Sequence, residues 1–284
     1  MNKLAVSAAA LAVMTLAPAS AEAGPRVDRH STTDPPSAAR TEATAATATF
    51  TVASFNVAGA KRIKGRSTTR SGALAFLRKH QVTLAGLQEL QGRTLRTFVR
   101  NADGRWRLVG APARRGTGRD LRNAVAFRPS HFALVQRRYL PITSYGGKRV
   151  NVPQVQLRVR ATGQLLWLLN THHPAYARQA TWRAESLRRA LRRIESLRSS
   201  GQTVLFTGDM NATRAFFCRA TRSAVLHSAS GGSTGQPCRY PRRNGIDWVL
   251  GTGDVRFAAW RKDGSTRSRR VSDHPIVVAR ATLS

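Results

Sequence analysis

Six short motifs in this chain set a polar or ionisable residue at the end of an apolar run. They are SFNV with Asn56, LQEL with Glu89, NTHH with His172 and His173, GDMN with Asp209 and Asn211, IDWVL with Asp247, and SDHP with Asp273 and His274. Carboxylates, carboxamides and imidazoles are the groups that bind hard cations, move protons and neutralise phosphoryl oxygens. Taken singly, each motif reads as a turn-forming Asp or Asn, a helix cap or a surface histidine. Their joint occurrence is harder to read that way, because acids are scarce: 14 Asp+Glu stand against 47 Lys+Arg. Glu89, Asp209, Asp247 and Asp273 nevertheless lie in or against apolar sequence. A buried carboxylate without a partner is costly, so these positions require a cation, a histidine or hydrogen-bond donors.

The elements that must position these residues follow from periodicity. TFTVASFNV alternates as a strand running to Asn56, and VTLAGLQEL reads as a buried strand ending near Glu89. Short strands are expected over Trp106–Gly110 and Ala124–Phe127, and longer ones over Val152–Val159 and in LLWLL, VLFTG, IDWVL and IVVAR. Ser71–His80 has helical spacing with Ser71 as N-cap. Residues 177–199 form a basic amphipathic helix whose apolar face carries Trp182, Leu187, Leu191, Ile194 and Leu197. So many strands alternating with helices fit one α/β domain built of two face-to-face sheets with helices outside.

Beyond the motifs, the N-terminus carries Lys3, an apolar run from Leu4 to Leu16 and small residues before Gly24, the pattern of a secretory signal over residues 1–23. Residues 24–48, rich in Pro, Ala, Thr and Ser, read as a disordered spacer, and 49–284 as the folded domain. The protein is therefore expected to be secreted, with no stable membrane insertion, and monomeric. In an oxidising compartment Cys218 and Cys238, the only two cysteines, are expected to pair. The formal net charge of +33 favours polyanions as partners, because each phosphate neutralised releases a counterion.

GDMNA followed by IDWVL and then SDHPIV, with SFNV and LQEL ahead of them, resembles the endonuclease/exonuclease/phosphatase superfamily, the fold of pancreatic deoxyribonuclease, from about Phe50 onward. The resemblance implies a four-layer α-β-β-α sandwich with two central mixed sheets. It implies that Glu89 binds a divalent cation, Mg²⁺ or else Mn²⁺ or Ca²⁺, with Asn56 and Asp273 close by. Asp209 would orient or deprotonate the attacking water, and Asn211 would hold that water or a phosphate oxygen. His274 would contact the scissile phosphate with Asp247 on its other ring nitrogen, and His172, rather than His173, matches the second histidine of the deoxyribonuclease branch. Asn123 is a candidate phosphate or histidine contact.

The family acts on DNA, RNA, phospholipids and small phosphoesters. The basic surplus favours nucleic acid, with KRIKGRSTTR and WRAESLRRALRRIESLR available to line a phosphate backbone. Aromatic residues are sparse in these segments, so contacts to the backbone are expected without base reading. Two other readings stay open: a sphingomyelinase-like phospholipid hydrolase drawn to anionic head groups, and a nucleic-acid-binding protein without catalysis. The first would need an exposed apolar loop, and GRSTTRSG and SASGGSTGQP are polar.

Overall fold

The computed structural model describes residues 47–59, 62–63, 66–67, 72–111, 121–223 and 225–284. The expected signal, almost all of the spacer, Ser71 and most of KRIKGRSTTR lie outside these residues.

Strand β1 (Ala48–Asn56) is followed by the two-residue strands β2 (Arg62–Ile63) and β3 (Arg66–Ser67), helix α1 (Gly72–Lys79), β4 (Leu84–Leu90) and helix α2 (Gly92–Ala102). Next come β5 (Arg107–Gly110), β6 (Leu121–Phe127), β7 (Phe132–Thr143), β8 (Arg149–Val159) and β9 (Leu165–His172). Helix α3 (Ala180–Ser199) leads into β10 (Thr203–Asp209), α4 (Arg214–Ala220), β11 (Leu226–Ser228), β12 (Asp247–Thr252), β13 (Val255–Asp263), the short α5 (Ser265–Ser268) and β14 (Ile276–Leu283).

Two six-stranded mixed sheets result, in the orders β13-β14-β1-β4-β6-β5 and β11-β12-β10-β9-β8-β7. They form the centre of the expected α/β sandwich. Phe50, Val52, Leu84, Val125, Val155, Leu168, Leu205 and Val249 fill the space between the sheets. Phe55, Leu87 and Leu90 pack outward against Leu74 and Leu77 of α1 and Leu95 and Phe98 of α2. On the opposite side Leu187, Ala190, Ile194 and Leu197 of α3 cover Trp167, Val204 and Phe206. Of the face expected for α3, Trp182 and Leu191 are only half-buried.

In each sheet one central pair is parallel, β1 with β4 and β9 with β10. Both pairs therefore present carboxyl ends, where α/β folds place their ligands. Strand β1 begins at Ala48, inside the stretch read as spacer, because Ala48 pairs with Leu283 of β14. Strand β6 extends back to Leu121, so Asn123 lies within the strand rather than ahead of it. Helix α2 was not legible in GRTLRTFVRNA, where few apolar residues mark the buried face. Cys218 and Cys238 form a disulfide, which encloses the loop leading back to Asp247.

Candidate active site

The inward-facing residues of the central strands change character along their length. In β1 the series Phe50, Val52 gives way to Ser54 and Asn56, and in β10 Leu205 gives way to Thr207 and Asp209. Strand periodicity puts each series on one face, so the inter-sheet space is apolar at one end and polar at the other.

Register aligns the polar ends into two rows. In one sheet Asp209 of β10 pairs with His172 of β9 on one side and Asp247 of β12 on the other. In the other sheet Gln88 of β4 pairs with Asn56 of β1 and Asn123 of β6. The amide of Asn56 joins the rows, its Nδ2 donating to Asp209 Oδ2 at 3.0 Å and to Glu89 Oε1 at 3.2 Å.

Glu89 reaches this position through backbone strain. Its φ is 54°, in the left-handed region that disfavours a side chain with a Cβ, a conformation costing about 1–3 kcal/mol. Strict alternation would separate Leu87 and Leu90 onto opposite faces, yet both pack in the outer core. The kink at Glu89 breaks the alternation and leaves its carboxylate beside Asn56. Gly208 answers a different constraint: a Cβ there would lie 2.2 Å from the Thr171 carbonyl oxygen.

Asp209 is the hub. It is buried, with 1% of its surface exposed. Its Oδ1 accepts the backbone N–H of Asn211 at 3.0 Å, and its Oδ2 lies 3.4 Å from His172 Nε2 and 3.6 Å from His274 Nε2. His274 Nδ1 sits 3.1 Å from both oxygens of buried Asp247. Burial pulls the imidazole towards its neutral form. The hydrogen bond and charge of Asp247, helped by Asp209 and Asp273, outweigh burial and raise its pKa to about 9. Burial also raises Asp247, against the opposing hydrogen bond from His274. The imidazolium form of His274 is thus favoured at neutral pH.

The loop bearing His274 is tied down on both sides. Buried Ser272 donates its hydroxyl to the Asn56 carbonyl at 2.6 Å and accepts the His274 N–H at 3.0 Å, while Thr266 Oγ1 donates to the His274 carbonyl at 2.7 Å. Asp273, adjacent to His274, is exposed. Asn211 has φ 48°, and its Nδ2 donates to the His173 carbonyl at 2.8 Å, so the amide nitrogen braces the loop behind Asp209. Asn123 is half-buried, and its buried Oδ1 makes no hydrogen bond among the described residues.

His173 points the other way. It packs against Phe216, and desolvation first, then the charges of His172 and Arg183, lower its pKa to about 3. It is a neutral packing residue.

A polar bridge that none of the six motifs contains at its marked position lies beneath the site. Asn170 Nδ2 donates to the carbonyls of Leu87 and Ala124 at 2.8 and 3.0 Å, and its Oδ1 accepts from Gln88 Nε2 at 2.7 Å and Thr207 Oγ1 at 3.2 Å. Asn170 lies two residues before His172, on the same strand face, and that period was the available signal.

Residues 53–274 match the endonuclease/exonuclease/phosphatase family. The chain belongs to this family. Structural neighbours of this family member include an endonuclease/exonuclease/phosphatase family protein from Bacteroides thetaiotaomicron, at 16% identity and TM-score 0.62 over 84% of this chain and 99% of the other. The human Nocturnin catalytic domain with bound sulfate aligns at 14% identity and TM-score 0.65, over 83% of this chain and 95% of that one. D. rerio TDP2 complexed with single strand DNA product aligns at 16% and 0.64, over 83% and 99%. A comparison with curated proteins returned no match.

Asp209, Asp247 and His274 also form a group whose ligand atoms lie within 4.8 Å of one another and that could hold a metal ion. His274 Nδ1 is already engaged by Asp247, however, whereas Glu89 and Asp209 offer carboxylate oxygens around a single amide. Those oxygens suit a hard divalent cation.

Proposed function

We propose that this protein is an exported, divalent-metal-dependent phosphodiesterase that cleaves nucleic acid with little sequence preference. The single observation that carries this reading is the placement of Asp209. It sits between two imidazoles, one held by Asp247, and shares an amide with Glu89.

A phosphodiester repels an attacking hydroxide, so a catalyst must neutralise charge, orient water in line and stabilise the departing oxygen. Asp209 accepts the proton of the attacking water. His274, kept cationic by Asp247, donates from Nε2 to a phosphoryl oxygen, and His172 donates from Nε2 on the other side of Asp209. Glu89, beside the Asn56 amide, would hold the cation, with Asp273 a further ligand if the family resemblance carries over, and Mg²⁺ there would supply charge neutralisation at the phosphoryl group. The net charge of +33 and the single strand DNA product named for the TDP2 neighbour support a nucleic-acid substrate.

The phospholipid reading draws less support. The exposed aliphatic residues Val99, Val135, Val150 and Leu165 lie on separate elements, and the exposed Tyr145 and Tyr176 stand together beside the cation of Arg178; none of the described helices is long and apolar enough to cross a membrane. The test is incubation of purified protein with supercoiled plasmid, RNA and sphingomyelin liposomes, with and without chelator. Chelator-sensitive nicking that Asp209→Ala abolishes is the expected result. Intact plasmid and RNA under Mg²⁺, Mn²⁺ and Ca²⁺ would overturn it.

A further inference from the structure

The strand that supplies His172 runs on into Pro174, Ala175 and Tyr176, and two tyrosines stand exposed there. Tyr176 is 64% exposed and Tyr145 44%. Their ring centroids are 6.5 Å apart, and the guanidinium of Arg178 lies 5.0 Å from the centre of the Tyr176 ring. A large aromatic left in water beside a cation is not explained by packing.

The backbone holds it there at a cost. Tyr176 has φ 68° and ψ 145°, a region that residues with a Cβ rarely occupy and that is found where surrounding contacts enforce it. Those contacts are present. Arg183 Nη1 donates to the carbonyls of Tyr176 and Pro174 at 2.6 and 3.0 Å. Tyr145 Oη accepts the Ala175 N–H at 2.9 Å, and Gln179 Oε1 accepts the Gly146 N–H at 3.2 Å. Two loops are thus clamped together with both rings facing outward.

Position relates this pair to the site. Tyr176 is four positions after His172, so its Cα lies at most about 14 Å from that of His172. That bound keeps the ring within reach of a nucleotide next to the phosphate at His172. We propose that Tyr176, with Tyr145 and Arg178, is a stacking platform for an unpaired base flanking the scissile phosphate, which makes single-stranded or locally opened polynucleotide the preferred substrate. This inference rests on the phosphodiesterase reading of the Asp209 site and adds the substrate's form to it. Stacking accepts any base, because every base has a π-face, and so agrees with the absence of sequence reading. Tyr145 acts as a positioning residue through its bond to Ala175 and as a second ring. Sparse aromatics in the basic segments point to backbone contacts alone, and the exposed ring pair adds to them. The tyrosines lie apart in the chain, at 145 and 176, and only the fold pairs them.

The test uses Asp209→Asn protein, expected to hold substrate without turning it over, and a set of fluorescent single-stranded oligonucleotides cut to the shortest length that still binds fully, so that one register is available, each carrying an abasic site at a different position. Loss of the stacked base is expected to weaken binding by about 5- to 150-fold at one or two adjacent positions. In Asp209→Asn/Tyr176→Ala the scan becomes flat, whereas Asp209→Asn/Tyr176→Phe keeps the dip. With Asp209→Asn/Tyr145→Phe the dip persists but is shallower. A flat scan in Asp209→Asn protein that still binds the intact oligonucleotide overturns the platform while leaving the nuclease reading in place. Failure of the wild-type protein to cleave any polynucleotide overturns the underlying reading instead. Binding to phosphatidylglycerol vesicles that Tyr176→Ala abolishes, with oligonucleotide binding unchanged, also overturns the platform.

Discussion

Asp247→Asn isolates the role of the buried pair. The substitution keeps shape and an acceptor for His274 Nδ1 but removes the charge that both 3.1 Å contacts depend on. With Asp247 in place His274 titrates at about 9. A group raised above its unfolded value, near 6.5, gives stability that is present below about pH 6.5 and is lost as pH rises through about 9. Without the Asp247 charge the strongest influences that raise it are lost or weakened, and His274 moves down towards its ordinary value near 6.5. At pH 8 the wild-type imidazole is about nine-tenths protonated, whereas a group near 6.5 is protonated to about 3%. The cleavage rate at pH 8 is therefore expected to drop by up to about 30-fold. Below pH 6 the deficit should shrink to the few-fold loss of a neutral for a charge-assisted hydrogen bond, about 1 kcal/mol. The assay is a pH–rate profile of kcat/KM on a plasmid or oligonucleotide substrate at constant ionic strength. An alkaline limb near 9 that stays in place in Asp247→Asn would refute the assignment of His274 as the cation of the site.

Three further outcomes follow from the packing. Gly208→Ala drives a Cβ to 2.2 Å from the Thr171 carbonyl. Separation of β9 from β10 should cost about 1–3 kcal/mol, read from the urea midpoint, and disturb the His172–Asp209 pairing enough to depress activity more than stability. Asn170→Leu removes a second donor from the Leu87 and Ala124 carbonyls and the acceptor of Gln88 Nε2 and Thr207 Oγ1, at about 1–3 kcal/mol in all, so a midpoint within about 0.5 kcal/mol of wild type would show that the bridge is dispensable. At the far edge, burial would raise Asp263, but Lys79, Ser265 and His80 outweigh it by hydrogen bonding and hold it well below the usual carboxylate range. Such a group contributes stability above its unfolded pKa that is lost as pH falls. Asp263→Asn should cost about 1 kcal/mol at pH 7, with the difference narrowing below about pH 4 in parallel urea titrations.

The sequence by itself determined which strands end in polar or ionisable residues, and so which side chains are candidates for the site. The ends of TFTVASFN, LAGLQEL, LLWLLNTH and VLFTGD were readable because strand alternation and a short supply of acids make a polar residue against apolar sequence conspicuous. The basic helix after NTHH and the pairing of the two cysteines were legible for similar local reasons. Helix α2 was not, since an apolar residue, Val99, stands on its exposed face among Arg93, Arg96 and Arg100, and a threonine, Thr97, shares the buried face with Leu95, Phe98 and Ala102. Tertiary structure alone decided the register that lines up His172, Asp209 and Asp247 in one sheet and Asn56, Gln88 and Asn123 in the other. It also decided the left-handed turn that swings Glu89 inward and the Asn170 bridge between the sheets. Hydrogen-bond partners 33 to 153 residues apart in the chain leave no local pattern, because their contacts exist only once both sheets have closed over the apolar core between them.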